Sequence, residues 1–281
     1  MAFALVLNSS NVVSGSNNTR YKYDFIGGGF RANDMEICIS QASIPYSFYN
    51  ISSSYGNNTF SLILPTAGTT QTIAVTLPDG FYSVVDIQNY IQQVLITNLF
   101  YLIDGAGNYV FPFLLTYSQT YYKVQLICAT IPNAAAMATL GYTQPVGAPA
   151  LPTATTGVQF VVGTIGTVIG YVAGTYPAVA TSSSQNFLST LTPVGSTVNS
   201  LVFRCNLVDN NVIMPSDIMD GCSINTQFAT SIIYDPSFEK WVTLRDGNYS
   251  NLVFTISDQN LNAIYALDPN IAITLMIRKK K

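Results

Sequence analysis

The chain has no histidine and a single tryptophan, Trp241, and only 9% of its residues are charged, against about 25% in an average soluble protein. Each shortage closes something off. Without imidazole the common nucleophile-activating triads and the usual general base are missing, so carboxylates, lysines or thiols would have to replace them. Zinc loses its nitrogen ligand, and the four cysteines, Cys38, Cys128, Cys205 and Cys222, show no C-x-x-C spacing that could compensate. The expectation is therefore no metal, no cofactor, no catalytic residue and no enzyme. Positive charge is scarce too, with 11 Lys and Arg against 14 Asp and Glu for a net charge of −3, which offers nucleic acid no general attraction. The only basic cluster is Arg278, Lys279, Lys280 and Lys281. It reads as a solvated end, with no more than weak contact to genomic nucleic acid or a membrane.

No signal peptide is expected either, because residues 2–7 are apolar but have no basic residue before them and no long apolar region after them. The four cysteines are accordingly expected to be buried thiols rather than disulfides, and the N-x-[ST] matches at Asn8, Asn17, Asn50, Asn57 and Asn248 to be chance. The longest uncharged run, Val124 to Phe203, raises the question of a membrane span, since Gly166, Gly170 and Gly174 form two G-x-x-x-G steps. Its apolar part, residues 158–174, is barely long enough to span, contains Gln159 and several threonines, and has no Lys or Arg flank to orient it. Strands with glycine kinks inside an assembly fit better.

What the chain does have is alternation. Tyr21, Tyr23 and Phe25 alternate with Lys22 and Asp24, and in MEICIS the residues Met35, Ile37 and Ile39 oppose Glu36, Cys38 and Ser40. FSLIL, TIAVTL, YKVQLICAT, LVFRCNLV, SINTQF, WVTL, LVFTIS and AITLMIR repeat the pattern, with turns at Pro78-Asp79-Gly80, Asp246-Gly247 and Asp268-Pro269-Asn270. One segment changes period. Val84, Ile87, Ile91, Val94, Leu95 and Leu99 have helical spacing, with Ser83 as cap and Asp86 completing a capping box. A shorter helix is expected over residues 134–140, between Asn133 and Gly141. Many strands and one good helix predict an all-β sandwich of two facing sheets.

The remaining candidate chemistry reads as structural. Gly27-Gly28-Gly29 is not followed by G-K-[ST], so it is expected to be a turn rather than a phosphate cradle. Asp34 with Glu36 would form a solvent face, while Asp217 with Asp220 and Asp235 with Glu239 sit beside Pro215 and Pro236, where aspartates stabilise turns. No D-x-D-x-D-G spacing suggests calcium, and Trp241 is expected to anchor a core or an interface.

Several segments together resemble the penton (minor capsid) proteins of virophages and polinton-like viruses. They are MEICISQASIPYSFYNIS, NNTFSLIL, TIAVTLPDGFYSVVDIQNYIQQVL, YKVQLICATIP, SLVFRCNLVDNN and DPNIAITLMIRKKK. The similarity covers about Tyr21 to Pro132 and Asn199 to Lys281; residues 133–198 have no counterpart. The resemblance implies a single jelly roll of two antiparallel sheets, forming a homopentamer at the fivefold vertices of an icosahedral virion and contacting neighbouring major capsid capsomers. The expected organisation is an N-terminal arm (1–20), a jelly-roll domain (21–131 and 200–281) and an uncharged Gly/Ala/Thr/Pro-rich insertion (132–199) forming an extra β layer or a projecting domain. Synthesis in the host cytoplasm without secretion follows from the same reading. Low charge suits it, since contact faces without solvated charges are easier to bury. Two other readings predict different behaviour. A lectin-like adhesive or receptor-binding module would bind glycans, with loops around Tyr46 to Tyr55 as the candidate contact, and a carboxylate hydrolase would need a cleft with a strongly perturbed Asp or Glu.

Overall fold

The computed structural model describes residues 2–27 and 29–280, and its contacts divide into two compact units, residues 2–48 with 198–280 and residues 49–197. The first unit opens with β1 (Ala2–Asn8), β2 (Arg20–Asp24) and β3 (Met35–Pro45). The second contains β4 (Thr59–Thr66), β5 (Thr69–Thr76), α1 (Val84–Thr97), β6 (Phe113–Ser118), β7 (Lys123–Cys128), α2 (Ala134–Leu140), β8 (Gln159–Val162), β9 (Gly174–Tyr176) and β10 (Gln185–Leu188). The chain then returns to the first unit with β11 (Ser200–Cys205), β12 (Ile218–Ser223), β13 (Ser231–Tyr234), β14 (Asn251–Asp258) and β15 (Ala272–Lys279).

The first unit is a jelly roll. Its two sheets run in the orders β1-β15-β3-β13 and β12-β11-β14-β2, and every pair is antiparallel. Eight strands passing between two sheets in this order form the double Greek key of that fold. The alternating residues supply the buried layer: Leu5 and Leu7, Ile273, Leu275 and Ile277 from one sheet; Tyr21, Leu201, Phe203, Leu252 and Phe254 from the other. Phe203 reaches Tyr234 edge-on at 5.3 Å, joining the two sheets. Each large side chain removed from water contributes about 1.5–3 kcal/mol, so this layer supplies most of the cohesion. In β3 the strict alternation resets where the pairing passes from Gln41↔Thr274 to Ile39↔Leu275. That bulge lets Ile37 and Ile39 before it, and Ala42 and Ile44 after it, all turn inward.

The boundaries of this jelly roll differ from those expected. Residues 1–20 do not form an arm, because β1 pairs along its whole length with β15, from Ala2↔Arg278 to Asn8↔Ala272. Residues 59–128 do not belong to the jelly roll either; their strands pair only within the second unit. Alternation shows that a strand has one buried face, but not which partner covers it. SINTQF is a loop after its first residue, since β12 lies just upstream.

The second unit has two larger antiparallel sheets of its own, β9-β8-β4-β5 and β10-β7-β6, besides two short two-stranded pairings. Phe60, Leu62, Leu64, Phe113, Leu115, Val124, Leu126, Phe160 and Val162 form its core together with Ile87, Ile91 and Leu95 of α1. Residues 132–199 are therefore no separate layer: Phe160 of β8 stands opposite Leu62 of β4, and Phe187 of β10 opposite Leu126 of β7. The segment completes sheets begun by residues 59–128. α1 has the expected capping box, with Asp86 N donating to Ser83 Oγ at 3.2 Å and Ser83 N to Asp86 Oδ2 at 2.8 Å. It ends at Thr97, two residues early, because Leu99 has turned to φ 58°. α2 is capped by Asn133, whose Oδ1 accepts from Ala136 N at 2.9 Å, and stopped by Gly141 at φ 69°.

The glycine-spaced stretch is a strand, one short helical turn (Gly166–Ile169) and another strand. A Cβ on Gly166 would stand 2.5 Å from Tyr171 O, and one on Gly170, at φ 76°, 2.6 Å from Leu191 O. These glycines let backbones meet inside one unit. Among the described residues no helix is long and apolar enough to cross a membrane.

Candidate contact surfaces

Of the basic end, Arg278 is built into the fold while Lys279 and Lys280 face solvent as expected. Arg278 lies on β15 opposite Glu36 of β3, and its Nε donates to Glu36 Oε1 at 2.5 Å. Its guanidinium covers the ring of Trp241 at 3.7 Å, while Trp241 Nε1 donates to Glu239 Oε2 at 3.1 Å. A planar cation stacked on an indole and hydrogen-bonded to a carboxylate acts as a clamp. Beyond it, Lys279 and Lys280 are exposed, with Lys280 N donating to Asp34 O at 2.9 Å; Lys281 lies outside the described residues. The tail thus offers two ammonium groups at most among the described residues.

Four of the six carboxylates in the candidate pairs, Asp217, Asp220, Glu36 and Glu239, are separately engaged. Asp217 accepts both Nε and Nη2 of Arg204, the latter at 2.8 Å. Asp220 accepts from the Tyr234 hydroxyl and, at 2.9 Å, from Lys240 Nζ, and burial together with that carboxylate pushes the Tyr234 phenol up. Glu36 and Glu239 belong to the Arg278–Trp241 clamp, and Asp34 N is held by Asp246 Oδ1 at 2.8 Å. No carboxylate pair faces a common cleft in this set, and among the described residues no group of three metal-ligating side chains comes together. All four cysteines are free thiols, Cys38, Cys128 and Cys205 buried and Cys222 half-buried. Burial raises Cys38 and Cys222 to about 11 and Cys128 and Cys205 to about 12, so none is a poised thiolate.

Of the aromatic residues in the stretch 46–55, two are buried and two, Tyr49 and Tyr55, are half-buried. Tyr46 and Phe48 are buried against each other at 4.6 Å, and Ile51 is buried by a bridge to Gly80. Exposed aromatic surface lies instead at the β6–β7 hairpin of the second unit. There Tyr121 and Tyr122 are 66% and 61% exposed, and Tyr117 meets Tyr122 edge-on at 5.7 Å. Beside it, Phe81, Tyr82, Tyr117 and Tyr122 line an apolar cleft of about 270 Å³. A second pocket of about 290 Å³ lies between α2 and the segments around Phe100, Phe111 and Leu151. Sequence reasoning missed both, because their walls come from segments far apart in the chain.

No protein-family model and no curated protein matches the sequence. Among solved structures, the chain is similar to the mavirus penton protein at 11% identity, with a TM-score of 0.43 and 100% of both chains covered. It is also similar to a chain of the Sputnik virophage structure solved by cryo-EM, at 12% identity and a TM-score of 0.39, over 99% of this chain and 98% of that one. At these scores the likeness adds nothing to the fold assignment, which rests on the strand order itself.

Proposed function

We propose that this is a structural capsid protein of the penton type. It would form a homopentamer at the fivefold vertices of an icosahedral virion, contact the surrounding major capsid capsomers, and be made in the host cytoplasm without secretion. The observation that carries this reading is a complete eight-stranded jelly roll with a whole second β unit inserted between its third and fourth strands, on a chain with 9% charge. Jelly rolls serve as capsid subunits and as lectins, and the scarcity of charge favours a surface covered by other subunits. The sequence resemblance to virophage pentons supports the same choice. A ring of identical subunits joins unlike patches and closes on itself. No enzymatic role is proposed: Asp217, Asp220, Glu36 and Glu239 are held by other side chains, and burial favours the protonated form of all four thiols.

Native mass spectrometry of the purified chain, together with a protein inventory of purified virions, tests the reading. A pentamer in solution and the chain at vertex stoichiometry in particles are expected. A stable monomer absent from particles overturns it. The exposed tyrosines at the β6–β7 hairpin favour one second reading, a glycan-binding module; a monomer with a saturable sugar site, lost on replacing Tyr121 and Tyr122 with alanine, would establish it.

A further inference from the structure

We propose that β5 is an assembly edge whose open side takes a strand from a second copy of this chain. The proposal deepens the capsid reading and rests on it. β4 and β5 form a hairpin with Ala67-Gly68 as a two-residue turn, closed by the pair Thr66↔Thr69. In such a hairpin alternate pairs from that closing pair exchange hydrogen bonds, which turns the backbone N–H and C=O of Thr70, Thr72 and Ala74 away from β4. All three residues are exposed, and no backbone or side-chain group of the described residues bonds to their amides. β5 runs eight residues without a bulge and contains no charge and no proline.

An open edge of this kind invites pairing with another chain, and proteins normally blunt it. This chain blunts most of its others. The first half of the outer side of β6 is plugged by Gln88 of α1, whose Oε1 accepts from Leu115 N at 2.7 Å and whose Nε2 donates to Phe113 O at 3.1 Å. β9 has three residues and runs into Pro177; β10 has four, and Lys123 Nζ donates to Thr190 O just past its end. In the jelly roll, β2 carries the Lys22–Asp24 ion pair, β12 carries Asp220 and faces a bulge, and β13 has four residues before Asp235-Pro236. Among the described residues of these four larger sheets, β5 and the seven-residue β1 are the two edges that stay open along their length, and both are uncharged. A second copy is the occupant these facts favour, because the chain carries two unlike, uncharged edges of matching length, and a closed ring joins unlike patches. A partner edge bearing charge would have to bury it without compensation.

The test uses the full chain in sedimentation and native mass spectrometry, comparing Thr72→Lys with the control Val146→Lys, whose side chain lies on an exposed loop. The wild-type chain is expected to self-associate, and Thr72→Lys to weaken that association by roughly tenfold or more, because an ammonium would have to be desolvated at the joint. Val146→Lys should leave association unchanged, and both variants should keep the wild-type melting transition. Amide exchange at Thr70, Thr72 and Ala74 should slow in the oligomer and not in the diluted monomer. A wild-type chain that stays monomeric, an oligomer indifferent to Thr72→Lys, or an oligomer whose three amides exchange freely each overturns the proposal. A virion that incorporates Thr72→Lys as well as wild type would sink the edge while leaving the capsid reading intact; absence of the wild-type chain from virions would sink that reading instead.

Discussion

Gln88 is the most exposed point in the logic of the second unit, although the side chain itself is buried. It lies on the inward stripe of α1 with Ile91 and Leu95, 6% accessible, and satisfies two of the backbone groups that β6 turns away from β7, Leu115 N and Phe113 O. Gln88→Leu keeps nearly the same volume and removes both partners at once. Leu115 N–H and Phe113 C=O are then left buried without a hydrogen bond, at about 1–3 kcal/mol each. The added apolar burial recovers about 1 kcal/mol of that. The net expectation is a loss of about 1–5 kcal/mol, large against a typical total of about 5–15 kcal/mol. Guanidinium unfolding followed by near-UV circular dichroism, with amide exchange at Leu115 as a local probe, measures it. The Leu115 amide should lose protection first, and the midpoint should fall. Gln88→Glu sharpens the test: the carboxyl can donate to Phe113 O only when protonated, so its burial raises the folded pKa. Its stability relative to wild type should therefore be greater in acid and decline as pH rises. A Gln88→Leu chain within about 0.5 kcal/mol of wild type, with Leu115 still protected, would refute the claim that this glutamine seals the sheet edge.

Replacing Arg278 with leucine leaves the Glu36 carboxylate, whose side chain is only 15% accessible, without its partner, and should cost roughly 1–3 kcal/mol; Arg278→Lys should recover only part, since an ammonium cannot lie flat on Trp241. Trp241 fluorescence reports the change directly. The thiols set an alkaline limit. With folded values raised from 9.0 to about 11 for Cys38 and Cys222 and about 12 for Cys128 and Cys205, the protonated forms are favoured in the native state. Stability is then full below 9.0 and declines as pH rises toward those values, which alkaline unfolding would show and a quadruple Cys→Ala chain would lessen. Native thiol titration should find Cys222 first, and equal rates at all four would contradict the burial. Deleting residues 133–198 removes β8, β9 and β10 and should unfold the second unit; deleting 49–197 takes that unit out at its boundaries and should leave a cooperative β fold.

The membership of each strand was harder to read than its existence. β11, β14 and β15 were plain from LVFRC, LVFTIS and AITLMIR, and their alternating residues are the buried ones. β1 was legible in the same terms, with Leu5 and Leu7 inward, yet its position at the chain's start suggested an arm. β8 to β10 have four, three and four residues, too few for any period to show, so the segment containing them reads as a separate body. The basic end was visible as four residues; that one of them was clamped on Trp241 was not, because 37 positions separate them in sequence and only the pairing of β15 beside β3 brings them together.

The amino-acid order alone determined that this protein is built of strands, that a capped helix interrupts them at Ser83, that imidazole chemistry is unavailable, and that its surface carries little charge. These follow from local periodicity and composition, which act over a few residues or not over position at all. Only the tertiary structure decided where one β unit ends and the next begins, which carboxylate holds Arg278, and which strand edges remain open. Those outcomes depend on strand pairings across tens to hundreds of residues, and a strand's own residues specify its buried face without specifying its neighbour.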